Sequence, residues 1–180
     1  PSASNRPVTS AVRATGAADR TRLWAMIETP MGIISAKEIA ACGADPENRL
    51  TCLVLGTNDL LKESRARATN NRFAVVPWLA MTLVAARAYG LDVIDGVYND
   101  FKDESGFRAE CEHGRTLGMD GKTLIHPSQV EPCNQIFSPT DEEVAERAEV
   151  SLDEVLALRE MTKVTTSLDL PIGEGDSTLG

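Results

Sequence analysis

The chain has 180 residues, with 18 Lys+Arg against 27 Asp+Glu, a formal net charge of −9, 42% hydrophobic and 25% charged residues. That composition is ordinary for a soluble globular protein, and the acidic balance argues against a nucleic-acid binder, which needs a Lys/Arg surplus on at least one face. No apolar run approaches the roughly 20 residues that span a bilayer, so neither nucleic acid nor membrane is an expected partner.

The first 21 residues are rich in Ser, Ala, Arg and Thr and lack an initiator Met. They read as a partial N-terminal helix or linker, with a faint likeness to a transit peptide and no secretory signal pattern. From Leu23 onward, short apolar runs alternate with helical patterns. Leu23–Ile27 is the first run, ending at Glu28, and a helix through Ile33, Ile34, Ala36, Ile39 and Ala40 follows it, stopping near Gly43. Leu50–Leu55 is the second, ending in Gly56-Thr57-Asn58-Asp59, with a helix over Pro77–Tyr89 that is apolar nearly all round and so expected to be largely buried. The third run is Asp92–Tyr98, followed by a helix over Glu104–Leu117 with Gly118 as its stop; the fourth is Lys122–Ile125, landing on His126-Pro127. Thr140, with Glu143 as its capping-box partner, opens a last acidic helix over Asp141–Glu160. Runs without period-2 alternation, each followed by a helix, predict a parallel α/β sheet, either doubly wound or closed into a barrel.

In both architectures ligands bind outside the carboxyl ends of the strands. The residues that follow the four runs are polar: Glu28, Asp59, Asn99-Asp100 and His126. Adjacent parallel strands lie about 4.8 Å apart, and two carboxylates that close repel unless a cation joins them. Glu28 and Asp59 therefore read either as a pair that shares a hard divalent ion or as caps of the helices that follow, Asp59 being the more cap-like; spacing leaves both open. His126 before a proline reads as a loop histidine satisfied by backbone, and Asp95, Asp100 and Asp103 as structural. Lys62, Arg65, Arg67 and Arg72 form the one basic cluster, a solvated loop face or a site for an anionic group. Cys42, Cys52, Cys111 and Cys133 show no CxxC spacing, and Cys52 inside an apolar run suits a reduced, buried thiol. P-loop, GxGxxG and GxSxG motifs are absent.

Three stretches, Trp24-Ala25-Met26-Ile27-Glu28-Thr29-Pro30-Met31-Gly32, Leu55-Gly56-Thr57-Asn58-Asp59-Leu60 and Asp95-Gly96-Val97-Tyr98-Asn99-Asp100, together with Gly118–Gln129, Asn134 and Phe137-Ser138-Pro139, resemble the HpcH/HpaI aldolase superfamily. The nearest branch is the citrate lyase beta-subunit-like one, which holds malyl-CoA and citramalyl-CoA lyases and malyl-CoA thioesterase. The resemblance runs from about Arg22 to Val150. It implies a (β/α)8 TIM barrel of which this chain carries the C-terminal half, strands five to eight, because a barrel needs about 250 residues. On that basis residues 22–150 are a half barrel with the metal site, and residues 151–180 are a C-terminal helix and irregular tail that do not match the family.

The resemblance further implies Mg2+ held by Glu28 and Asp59, substrate contacts from Glu28, Asn58, Asp59, Ile125 and His126, and a CoA-thioester substrate. The function it implies first is a Mg-dependent carbon–carbon lyase, cleaving a malyl-CoA-like 3-hydroxyacyl-CoA to acetyl-CoA and a 2-oxo acid. The alternatives are a malyl-CoA thioesterase and a non-catalytic half barrel that pairs with another chain. The family's enolate-stabilising arginine and its acidic residue donated by a neighbouring subunit find no match here, so the catalytic residues stay unassigned. Full-length members imply a homo-oligomer, trimer or hexamer, in the cytoplasm, or in the mitochondrial matrix of a eukaryote.

Overall fold

The computed structural model describes residues 21–69 and 71–162. The chain divides into two compact units, Pro1–Phe137 and Ser138–Gly180. Among the described residues no helix is long and apolar enough to cross a membrane. All of the expected linker but Thr21, and most of the expected tail, lie outside the described residues.

The first unit is built on one parallel sheet of four strands in the order β1-β2-β3-β4. These are β1 (Leu23–Ile27), β2 (Leu50–Leu55), β3 (Asp92–Asp95) and β4 (Gly121–Lys122). The register pairs Ile27 with Leu55, Val54 with Ile94 and Asp95 with Lys122, so the carboxyl ends of neighbouring strands lie side by side. β1 and β2 match the apolar runs residue for residue. The third and fourth runs are shorter as strands than the sequence predicts. β3 stops at Asp95 because the Gly96 carbonyl accepts from the Lys122 ammonium at 2.6 Å instead of entering a ladder.

Helices follow each strand. After β1 come α1 (Pro30–Ile34) and α2 (Ala36–Ala41), in place of one continuous helix, with the break at Ser35. Then come α3 (Thr57–Glu63), α4 (Val76–Arg87), α5 (Glu104–Leu117) and α6 (Val130–Phe137). α5 has the predicted bounds: Asp103 caps its start by accepting from the Gly106 amide at 2.9 Å, and Gly118 ends it at φ 98°, a conformation that only glycine takes without strain.

One face of the sheet meets the helices. Ile27, Leu53, Leu55 and Val93 pack there with Ile33 and Ala40 on one side and Leu60, Leu79 and Ala86 on the other. A second cluster joins Phe107 and Cys111 of α5 to Cys133 and Ile136 of α6. Alternation along β1 leaves Trp24 and Met26 63% and 56% exposed on the opposite face. α4 departs from the expectation of all-round burial: Leu79, Thr82 and Ala86 are buried, whereas Met81 and Val84 are 51% and 69% exposed. A helix laid on one face of a sheet hides only the stripe that touches it. All four cysteines are free thiols, and burial pushes Cys52 up to about 11.

In the second unit the predicted single helix is two, α7 (Asp141–Ala148) and α8 (Leu152–Thr162). Thr140 and Glu143 form the expected capping box. The break comes from Glu149, left-handed at φ 55°, and from Ser151, whose hydroxyl accepts from the Glu154 amide at 3.2 Å while the Glu154 carboxylate takes the Ser151 amide at 2.9 Å. This second Ser-x-x-Glu box restarts the chain as a new helix. Ser151→Ala is expected to cost about 1 kcal/mol, and Glu149→Gly to raise stability by about 0.5–1 kcal/mol by relieving the left-handed residue, both read from urea unfolding followed by circular dichroism.

Candidate functional site

The carboxyl edge of the sheet gathers the polar strand ends. Glu28 follows β1 directly, and the Gly56 amide after β2 donates to the Ile27 carbonyl at 3.0 Å, tying the two ends together. Gly56 matters for a second reason. A Cβ there would collide with Cβ of Glu28 and lie 3.2 Å from its Oε2, so the missing side chain is the space in which the Glu28 side chain rests. Asp59 is the third residue of α3 and is exposed.

Neither carboxylate is a cap. α1 is capped by Thr29, whose hydroxyl accepts from the Gly32 amide at 3.0 Å, and α3 by the backbone of Gly56 with no side-chain bond. Asp59 sits inside the first turn, where the helix dipole favours a negative charge. Neither Glu28 nor Asp59 has a hydrogen-bond or ion-pair partner among the described residues. The donor set fits Mg2+: two hard carboxylates, with the remaining positions open to water and substrate oxygens. Among the described residues no group of three or more His, Cys, Asp or Glu could hold a metal ion, so a closed Cys/His cage of the zinc type is not offered there.

The next strand ends are linked by side-chain amides. Asn58 and Asn99 bond reciprocally at 3.0 and 2.9 Å, joining the α3 start to the loop after β3. Beside them opens a cavity of about 640 Å3 between α3, the loop before α4 and α5, with Asn58, Arg67, Arg72, Asn99, Glu110 and His113 among its walls. Of the basic cluster read from the sequence, only Arg67 and Arg72 reach this cavity, and Arg72 is buried and paired rather than free for an anion.

Under the cavity lies a buried charge network whose pairing the sequence did not show, although Asp95 itself was read as structural. Asp95, fully buried, accepts from Arg72 at 2.6 and 2.9 Å through both of its oxygens and from the Lys122 ammonium at 3.1 Å. Lys122 also reaches Glu110, which stands 3.4 Å from Arg72 Nε, and His113 Nδ1 lies 3.5 Å from Arg72. The sequence signal was present: an acid inside the third run and a base at the head of the fourth, on strands that turn out to be neighbours. Burial alone pushes the Asp95 carboxyl up, but Lys122 and Arg72 outweigh it and hold it below the ordinary 3.8. Asp103, read as structural, is the α5 cap and also takes the Tyr98 hydroxyl at 2.7 Å, a bond that raises Tyr98 to about 12.

At β4, Thr123 continues toward β3 by donating to the Asp95 carbonyl at 3.0 Å, and the chain then presents Ile125 and His126, 51% exposed and exposed respectively. His126 caps the turn Pro127–Gln129 through Nδ1, which accepts from the Ser128 amide at 3.2 Å. The structure therefore places Glu28, Asn58, Asp59, Ile125 and His126 along one edge of one sheet, on β1, β2 and β4 exits.

Two outcomes test this arrangement. Lys122→Met leaves Asp95 and Glu110 with Arg72 as their one shared cation and is expected to cost about 3–5 kcal/mol in urea unfolding. Because Asp95 titrates lower in the folded state, its contribution is complete above about pH 5 and is lost as the pH falls through the folded value, so the wild-type excess over Lys122→Met shrinks in acid. Gly56→Ala sets a Cβ against Glu28 and is expected to cost about 1–3 kcal/mol in the same unfolding measurement.

A family model described as HpcH/HpaI aldolase/citrate lyase matches residues 4–127, and a second, described as Sigma-70 region 3, matches residues 137–180. The chain is 56% identical over 122 residues to a (3S)-malyl-CoA thioesterase of Cereibacter sphaeroides, covering 68% of this chain and 41% of that protein. It is 34% identical over 160 residues to an L-malyl-CoA/beta-methylmalyl-CoA lyase of the same species, covering 79% of this chain and 49% of that one. Among solved structures it is similar, at 26% identity and a TM-score of 0.59, to protein CitE of Mycobacterium tuberculosis in complex with magnesium, acetoacetate and coenzyme A, covering 79% of this chain and 52% of that one. The chain thus spans about half the length, or less, of the relatives it matches. With 124 of its 180 residues under one family model and its polar strand ends lined up as that likeness requires, the chain belongs to the HpcH/HpaI aldolase/citrate lyase family.

Proposed function

We propose that this chain is the metal-carrying part of an enzyme that hydrolyses a malyl-CoA-like thioester to the free acid and CoA. The single observation that carries the choice is the 56% identity to a (3S)-malyl-CoA thioesterase, against 34% to a lyase. This reverses the order in which the motifs alone ranked the two activities. The four sequentially ordered parallel strands are read as strands five to eight of a (β/α)8 barrel, with exposed Trp24 and Met26 facing its interior. Residues 138–180 are read as a separate module, in keeping with the second family match and with their own compact unit.

Glu28 and Asp59 would hold Mg2+, which the solved relative also binds. When bound, the ion supplies positive charge that polarises a carbonyl and offsets the oxyanion developing as water adds to the acyl carbon. Gly56 leaves room for Glu28, and the Asn58–Asn99 amide pair fixes the α3 start against the loop after β3, so Asp59 is delivered at a constant height. Ile125 and His126 contact the acyl-CoA from the β4 side. Water enters as the nucleophile, the carbon–sulfur bond breaks, and CoA leaves as the thiol.

The lyase is the second reading, favoured by the 34% relative and by the same metal site, since a chelated 2-oxo acid and an acetyl-CoA enolate need the same cation. Incubation of the chain with Mg2+ and malyl-CoA separates them. Malate and free CoA are expected; glyoxylate and acetyl-CoA would establish the lyase instead. Glu28→Gln and Asp59→Asn are each expected to weaken Mg2+ binding by about 10- to 100-fold in calorimetry, and unchanged binding would remove both from the metal site.

A further inference from the structure

The His126 ring is held more firmly than an exposed loop histidine requires. Its Nδ1 faces the backbone amide of Ser128 at 3.2 Å and the Ser128 hydroxyl at 2.8 Å. A backbone N–H can only donate, so Nδ1 is the acceptor and, in the neutral ring, the hydrogen sits on Nε2. The ring plane is fixed by Phe101, which stacks on it with centroids 4.5 Å apart and an interplanar angle of 13°. Phe101 stands in the loop after β3 and His126 just beyond β4, so the stack holds only if these two exits keep their spacing.

Gln129 keeps it. Its side chain is 2% exposed; Oε1 accepts from the Ile125 amide at 3.0 Å and the His126 amide at 3.3 Å, and Nε2 donates to the Tyr98 carbonyl at 3.0 Å. One buried amide thereby binds the β4 exit to the β3 exit. With Nδ1 occupied, ring plane set and backbone clamped, Nε2–H has no partner among the described residues and stands on an exposed ring.

We infer that Phe101 and Gln129 are positioning residues that present His126 as a neutral Nε2–H donor to an acceptor oxygen of the ligand, the thioester carbonyl or the carboxylate of the acyl group. The ligand's identity rests on the function proposed above; the tautomer does not. The donor raises no demand for proton transfer. It stabilises negative charge on the oxygen it meets, as one arm of an oxyanion site.

The test is the imidazole nitrogen spectrum of the 15N-labelled chain, in which His126 is told from the one other histidine, His113, by the variant His113→Gln. Wild-type His126 is expected to show a bare Nδ1 and a protonated Nε2, retained in Phe101→Tyr and averaged between tautomers in Phe101→Ala. Gln129→Ala is expected to speed hydrogen exchange of the Ile125 and His126 amides about tenfold, in line with the loss of one hydrogen bond. Acetyl-CoA with Mg2+ is expected to move the Nε2–H signal downfield. A protonated Nδ1, or a tautomer indifferent to Phe101→Ala, overturns the inference. If acetyl-CoA shifts the amides of Asn58 and Asp59 but not His126, the donor role fails and the proposed function stands. If it shifts none of them, the proposed function fails and takes the ligand assignment with it.

Discussion

The carboxyl edge of the sheet depends on one buried carboxylate. Asp95 ends β3 with both oxygens engaged, by Arg72 from the loop before α4 and by Lys122 from β4, while Glu110 of α5 completes the charge balance. Taking four charged groups out of water is costly, and mutual attraction offsets the cost only if no proton or lone pair is left idle. Here the groups come from four separate segments, so the requirement for complete pairing is a requirement on the position of each segment. β4 is only two residues long, and its place in the sheet owes more to Lys122 than to its ladder.

From that anchor the geometry spreads outward in steps. Lys122 takes the Gly96 carbonyl and so ends β3; the freed chain then turns through Tyr98 and Asn99, which Gln129 and Asn58 hold from either side. On the β1–β2 side the arrangement works by subtraction. Thr29 and Gly56 supply the helix caps, and that leaves Glu28 and Asp59 with no structural duty. Glu28 rests in the space that Gly56 leaves, and Asp59 stands in the first turn of α3, where the helix dipole favours its charge. The same edge therefore has a paired half, around Asp95, that fixes shape, and a half around Glu28 whose carboxylates the fold does not use.

The second unit obeys a simpler rule. Two Ser/Thr-x-x-Glu boxes, at Thr140 and Ser151, each start a helix, and a left-handed Glu149 stands between them. Local hydrogen bonding decides the break, and the continuous polar–apolar pattern from Asp141 to Glu160 conceals it.

By itself the sequence determined much of what depends on neighbours along the chain, though not the local helix breaks at Ser35 and Glu149. The bounds of β1, β2 and α5, the Thr140 box, the parallel class of the sheet and the polar residue at each strand end were all legible, because burial on both faces, capping and strand-to-helix turns leave local signatures. Family motifs added the family itself. Tertiary structure alone decided the rest. Whether Glu28 and Asp59 served as helix caps turned on which other atoms satisfied the helix starts. The lengths of β3 and β4 turned on Lys122 drawing a carbonyl out of the ladder. The pairing of Arg72 with Asp95 joins residues 23 apart in sequence, and Gln129 meets Tyr98 across 31. Such contacts have no periodicity to read. They exist because buried polar groups must find partners wherever the fold brings them, and only the folded chain shows where that is.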